Sequence, residues 1–108
     1  MESHLGELEQ LVLLTLLRLG DDAYGVTVQG LLAERTGRSP ALATIYTTLA
    51  RLETKGLVAS FLGEATPERG GRAKKHFRVT AVGRNALRRS LSDVRALTQG
   101  LGGLGSTP

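Results

Sequence analysis

Three glycines, Gly20, Gly37 and Gly56, divide the first half of this 108-residue chain into three segments with helical signals. Glycine commonly ends a helix, because it adopts the left-handed backbone conformation without steric cost. In the segments before these glycines, apolar residues recur every three or four positions, as they do along one face of a helix. The spacing therefore predicts three consecutive short helices.

The first helix is predicted over residues 7–19, with the sequence ELEQLVLLTLLRL. Its apolar side chains fall on several neighbouring stripes, so they cover more of the circumference than the single face of a surface helix. We expect that one monomer cannot bury all of them. The second helix is predicted over residues 24–35, with Asp21 or Asp22 capping its free amides.

The third helix is predicted over residues 40–55, because Ser39 can cap the free amides and Pro40 loses no hydrogen bond at the first helical position. Leucines and an isoleucine lie along one side of it. The other side carries threonines and the basic residues Arg51 and Lys55, whereas a helix face selected only for solubility would carry more Glu and Lys. This composition favours a contact surface, and an ordinary solvated face is the alternative.

A β-hairpin is predicted from two strands, residues 57–62 and 75–80. Phe77 and Val79 alternate with polar residues in the second strand, which is typical of a hairpin with one dry face. Three helices followed by such a hairpin is the order of a winged helix-turn-helix, in which the third helix enters the major groove and the hairpin touches phosphates.

The predicted fold is thus mostly α with a small antiparallel β hairpin, and it divides into three parts. We expect a winged helix-turn-helix DNA-binding domain over residues 1–80. A last helix, capped by Thr80, is predicted over residues 81–99 as a C-terminal dimerisation helix. Residues 100–108 are rich in glycine and are expected to form a flexible tail.

Charge is distributed unevenly along the chain, whose net charge is +4. Residues 1–37 carry two basic and six acidic side chains, whereas residues 38–108 carry twelve basic and four acidic ones. Nucleic acid is the commonest partner of a small basic domain, although a merely solvated surface would show the same imbalance.

Candidate DNA-binding residues follow from this fold. Those expected to read or line the major groove are Thr44, Tyr46, Thr47, Thr48 and Arg51. Those expected to hold flanking backbone are Arg38, Ser39 and Lys55. The hairpin tip and returning strand offer cations for phosphates and glycines that permit close approach: Arg69, Gly70, Gly71, Arg72, Lys74 and Lys75. A flexible loop without a DNA contact is the alternative for this tip.

Apolar stripes on the first and last helices predict a homodimer, because a lone chain has little to cover them with. The residues expected at the interface are Leu11, Leu14, Leu87, Leu91, Val94 and Leu97.

Several other classes are excluded. The chain has no cysteine, and its two histidines, His4 and His76, lie far apart in sequence, so we expect no metal, no cofactor and no catalytic activity. No apolar run approaches the roughly 20 residues that span a bilayer, and the start Met1-Glu2 lacks a cationic signal-peptide region. We expect a soluble cytoplasmic protein without a membrane contact.

Over residues 8–91 the sequence resembles the PadR-like family of bacterial transcriptional regulators. The matching segments are LVLLTLLRLGDDAYGVTV, TIYTTLARLETKGLV and TPERGGRAKKHFRVTAVGRNAL. The resemblance implies a dimeric winged-helix protein that binds a pseudo-palindromic operator in double-stranded DNA, usually as a repressor and often released by a small-molecule effector. The short last helix is similar to that of a compact subgroup, in which it packs against the first helix of the other subunit.

The chain also departs from the family pattern. His76-Phe77 stands where the family often has Tyr-Tyr, so a tyrosine hydroxyl contact at this pair is not supported. There is also no Trp, so a large planar effector is not supported. The predicted function is a homodimeric repressor with an unknown small effector. The alternative is a winged-helix protein-interaction module with no sequence-specific DNA target, whose basic face meets an acidic protein.

Overall fold

The computed structural model describes residues 5–63 and 74–104. Within them the chain forms four helices, α1 (Glu7–Leu19), α2 (Gly25–Thr36), α3 (Leu42–Thr54) and α4 (Ala81–Thr98), and two strands, β1 (Val58–Leu62) and β2 (Lys75–Val79). The strands pair antiparallel. The predicted fold class is therefore confirmed, and α1 has the bounds that its sequence pattern predicted.

The starts of α2 and α3 differ from the prediction. Residues Gly20–Asp22 form a single 3-10 turn, and Tyr24 rather than an aspartate takes the cap position of α2. α3 begins at Leu42, and its N-cap is Ala41 with no side-chain hydrogen bond, so Ser39 does not cap it. The predicted start at Pro40 was wrong because the Pro40 carbonyl accepts a hydrogen bond from the Gln29 side chain (2.9 Å), a contact with α2 that holds this segment outside the helix.

The core lies where α1, α2 and α3 meet the hairpin. On α1, Val12, Leu13 and Leu16 are buried within the chain itself, so a monomer covers more of this helix than its sequence suggests. Leu87 of α4 also belongs to this core and is only 4% exposed. Its predicted place in a dimer interface was therefore wrong, because its own chain already buries it.

Backbone contacts fix the hairpin and α4 to the helices. The Phe77 N–H donates to the Ala23 carbonyl just before α2 (2.9 Å). The Thr80 hydroxyl accepts from the Gly83 N–H (3.0 Å), which confirms the predicted cap of α4. A Cβ on Gly83 would stand 2.0 Å from the Leu57 carbonyl oxygen, so only glycine allows α4 to cross the start of β1 this closely.

The second half of α4 extends beyond the body of the chain. Leu91, Val94 and Leu97 are 37%, 52% and 80% exposed. The radius of gyration is 15.4 Å, above the value of about 13 Å expected for a compact domain of this length. No helix among the described residues is both long and apolar enough to span a membrane.

Candidate nucleic-acid interface

A cleft of about 670 Å³ lies between the start of α1 and the polar face of α3. Its lining residues are Gly6, Glu7, Leu8, Glu9, Ala43, Thr44, Thr47, Thr48, Arg51 and Lys55. Several of the side chains predicted to read the groove or hold the flanking backbone thus lie in one place. The cleft also includes two carboxylates, which the sequence interpretation did not connect with this face.

The threonines of α3 fall into two environments. Thr44 and Thr47 are exposed, so their side chains can meet a ligand. Thr48 is 5% exposed, and its hydroxyl donates to the Thr44 carbonyl one turn earlier (2.8 Å). The interpretation of Thr48 as part of the exposed polar face was wrong, because it lies at the edge of the buried side beside Leu49 and Leu52.

Tyr46 is positioned by α2. Its ring lies over Gly25, where a Cβ would come within 2.3 Å of the ring carbon Cζ. The side chain remains 43% exposed, so one part of the ring packs against the backbone and another stays accessible. Tyr46 is therefore held at the junction of α2 and α3, where it can line a bound ligand without rotating freely.

The cation before α3 is held loosely. The Arg38 guanidinium lies 3.2 Å from the Glu7 carboxylate, and both side chains are largely exposed. Exposed ion pairs of this kind contribute at most about 1 kcal/mol. Arg38 can therefore leave Glu7 for a phosphate at little cost. Ser39, also predicted to hold DNA backbone, is exposed beside it.

The cation after α3 is held much more firmly. The Lys55 ammonium donates to both carboxylate oxygens of Glu9, at 2.9 Å each. Only 30% of the lysine side chain and 11% of the glutamate side chain are exposed. Because the glutamate side chain is nearly buried, removal of Lys55 would leave its charge poorly compensated.

Glu9 is an ionised carboxylate at the floor of the cleft. Burial raises the pKa of Glu9, but the Gly6 N–H, the Lys55 ammonium and the charge of Arg51 together more than offset this, so the pKa lies below its ordinary value. The Gly6 N–H donates to Glu9 Oε1 (2.9 Å), which also caps the first turn of α1. One side chain thus joins the start of α1 to the end of α3.

A sequence signal for Glu9 exists. Glu9, Val12, Leu13 and Leu16 follow i, i+3, i+4, i+7 spacing, so the carboxylate shares the buried face of α1. An acidic residue on an apolar face predicts a buried cation partner. Which cation it would be depends on packing, because Lys55 is far away in the sequence.

The hairpin carries the remaining predicted cations. The Lys74 ammonium lies 5.4 Å from the centroid of the Tyr24 ring, and the Lys75 ammonium is 3.8 Å from a Glu53 carboxylate oxygen. The His76 ring packs against Tyr24, with centroids 5.1 Å apart, and so joins β2 to the start of α2. The predicted wing-tip residues Arg69, Gly70, Gly71 and Arg72 lie outside the described residues.

A model of the transcriptional regulator PadR-like family matches residues 13–89. The chain belongs to this family. PadR-like proteins are transcription regulators rather than enzymes, so the cleft of this PadR-like chain is interpreted as a binding surface and not as a catalytic site. The resemblance inferred from the sequence motifs is confirmed.

Solved structures agree with this assignment. A PadR family transcriptional regulator from Eggerthella lenta is 32% identical, with a TM-score of 0.68 over 94% of this chain and 88% of that one. A PadR family regulator from Clostridium difficile is 24% identical, with a TM-score of 0.72 over 86% and 92%. A transcriptional regulator from Clostridium thermocellum is 20% identical, with a TM-score of 0.71 over 91% and 92%. A search of curated proteins found no match.

Proposed function

We propose that this PadR-like regulator binds double-stranded DNA sequence-specifically, as a homodimer on a pseudo-palindromic operator, and represses transcription in the cytoplasm. The observation that carries the proposal is the exposed face of α3, where Thr44, Thr47 and Arg51 line one cleft. Threonine is small enough to lie deep in a major groove, and arginine can bind guanine or grip a phosphate. Arg38 and the hairpin lysines would contact flanking phosphates.

Selection from random duplexes tests the proposal. Purified protein should enrich a sequence with two-fold symmetry, and titration should show that this sequence binds at least about a thousandfold more tightly than a random duplex. Affinity for both should fall with salt. Retention of an acidic polypeptide such as polyglutamate, without enrichment of any duplex sequence, would instead support the alternative of a protein-interaction module.

The proposal of a homodimer rests on α4. Leu91, Val94 and Leu97 form an apolar stripe that the described residues of the chain leave exposed, and Leu11 and Leu14 on α1 are only partly covered. A two-fold contact between these surfaces would bury both. Two recognition helices related by that symmetry axis would read the two halves of a palindrome.

The proposal of a small effector is supported by a second cavity. Between α1 and α2 lies a partly open cavity of about 160 Å³, mostly apolar, whose lining includes Arg18 and Arg35. Leu11 and Leu14 line this cavity and also belong to the proposed dimer surface. A small molecule bound there would change how the partner subunit packs, and would thereby alter the spacing of the two α3 helices.

A further inference from the structure

We propose that Glu9 is a counter-charge built into the DNA-facing cleft, which keeps Lys55 from DNA phosphates and so limits the affinity of the protein for any duplex. This inference rests on the proposed DNA binding. It assigns different roles to two cations that flank α3 and look equivalent in the sequence. Arg38 is free to reach a phosphate, whereas Lys55 is neutralised within the protein.

The geometry of the Glu9–Lys55 pair supports this division. Both carboxylate oxygens lie 2.9 Å from the ammonium, and the glutamate side chain is nearly buried. If Lys55 turned to a phosphate, Glu9 would lose its closest cation, although only 11% of the glutamate side chain is exposed to water. A phosphate would therefore have to compete with a carboxylate that is already in position and desolvated.

The Glu7–Arg38 pair shows the contrast. It also begins at the first turn of α1, but it reaches the segment before α3, whereas Lys55 follows the end of α3. Its ions, however, are 3.2 Å apart, and their side chains are 74% and 47% exposed. Water can replace either partner there, so the pair does not hold Arg38 back from DNA.

The consequence concerns the sequence-independent part of binding. Each cation that neutralises a phosphate contributes about 0.9 to the slope of log affinity against log salt. Lys55 adds nothing to this slope while Glu9 holds it. The contacts of Thr44, Thr47 and Arg51 with base edges then supply a larger share of the binding free energy.

The experiment compares Glu9→Gln with wild type on a random duplex and on the selected operator, over a range of salt concentrations. Glutamine keeps an oxygen for the Gly6 N–H and for Lys55 but removes the charge. Glu34→Gln is the matched control, because it removes one exposed negative charge from α2, away from the cleft. Glu9→Gln/Lys55→Gln removes the charges of both partners. Thermal melts monitored by circular dichroism give the temperature range in which each variant is folded.

The expected result is that Glu9→Gln binds both duplexes roughly five- to tenfold more tightly per protomer at about 0.1 M salt, with the slope steeper by about 0.9 per protomer. Glu34→Gln should show less of both effects, and the double variant should return to the wild-type slope.

A double variant whose slope is shallower than that of wild type would overturn the inference, since Lys55 would then already contact phosphate. The inference would also be overturned if Glu34→Gln gained as much affinity for DNA as Glu9→Gln. It would likewise be overturned if Glu9→Gln gained no affinity although wild type binds DNA. A wild type that binds no duplex would instead refute the proposed function itself.

Discussion

The ring of Tyr46 on α3 rests on the backbone of Gly25 at the first turn of α2, where a Cβ would lie 2.3 Å from Cζ and 2.4 Å from the hydroxyl oxygen. No side chain larger than a hydrogen atom fits between them. This contact explains why glycine stands at position 25 opposite Tyr46. It also sets the distance between α2 and α3, and so the position of the proposed recognition helix.

Gly25→Ala should destabilise the fold by about 1 to 3 kcal/mol, because the methyl group would force Tyr46 or α2 to shift. Urea denaturation measures this change in the free energy of unfolding. Gly30→Ala is a matched control on the same helix, since nothing lies within 4 Å of the position of its Cβ. Because alanine favours a helix interior, this control should stabilise the protein by up to about 1 kcal/mol. Combining Gly25→Ala with Tyr46→Ala should remove most of the Gly25→Ala penalty, and a penalty that persisted would contradict the steric explanation.

The sequence predicted local structure well and the packing between elements less well. α1 and the cap at Thr80 depend on neighbouring residues, so their patterns were sufficient. The start of α3 depends on a hydrogen bond from Gln29 to Pro40, which no local signal contains. Thr48 was misplaced because helical spacing defines a face but does not show where its buried edge lies.

The candidate site was predictable only in part, because spacing shows which residues share a helix face but not how the helices pack. Thr44, Thr47 and Arg51 share one side of one helix, so spacing alone placed them together. The pairing of Glu9 with Lys55 joins residues 46 positions apart, and it becomes visible only when α1 packs across α3.

Thr44→Ala and Arg51→Ala should each weaken operator binding. Removing a side chain that reads a base costs about 1 to 3 kcal/mol and relaxes sequence preference at one position, while affinity for a random duplex changes less. Titration of both variants on the operator and on single-base variants of it would show this pattern. Thr48→Val is the control, because it preserves shape at a buried position, and it should leave binding unchanged. If Thr48→Val reduced operator preference as much as Thr44→Ala, the proposed reading face would be wrong.

Leu91→Asp and Leu87→Ala should separate assembly from folding. Leu91 is on the exposed stripe of α4, so an aspartate there should dissociate the dimer while the monomer stays folded. Leu87 lies in the core, and its truncation should cost about 2 to 5 kcal/mol of stability. Sedimentation together with thermal melts distinguishes the two effects. A wild type that sediments as a monomer at all concentrations would contradict the proposed dimer.

The wing cations Arg69 and Arg72 should act on phosphates rather than bases, because the sequence places two glycines between them, and glycine constrains the backbone less than any other residue. Replacing both with alanine should weaken binding to operator and random duplex alike. The salt slope should fall by about 0.9 for each phosphate that is no longer neutralised. Weaker operator binding alone, with random binding retained, would instead assign base reading to the wing.

Glu9 should make stability depend on pH on the acid side. Its pKa in the folded protein lies below the ordinary value of about 4.5, despite burial, because Gly6, Lys55 and Arg51 favour the charged form. The unfolded chain therefore binds the proton more readily. The stabilisation is fully present above about pH 4.5 and is lost as the pH falls through the lower, folded-state pKa.

Urea denaturation from about pH 6 to about pH 3 should show wild type losing its advantage over Glu9→Gln in this acidic range. In a Lys55→Gln background the advantage above about pH 4.5 should be smaller, because one cation that favours the carboxylate is gone. Parallel pH curves for wild type and Glu9→Gln would mean that the carboxylate contributes nothing through its charge.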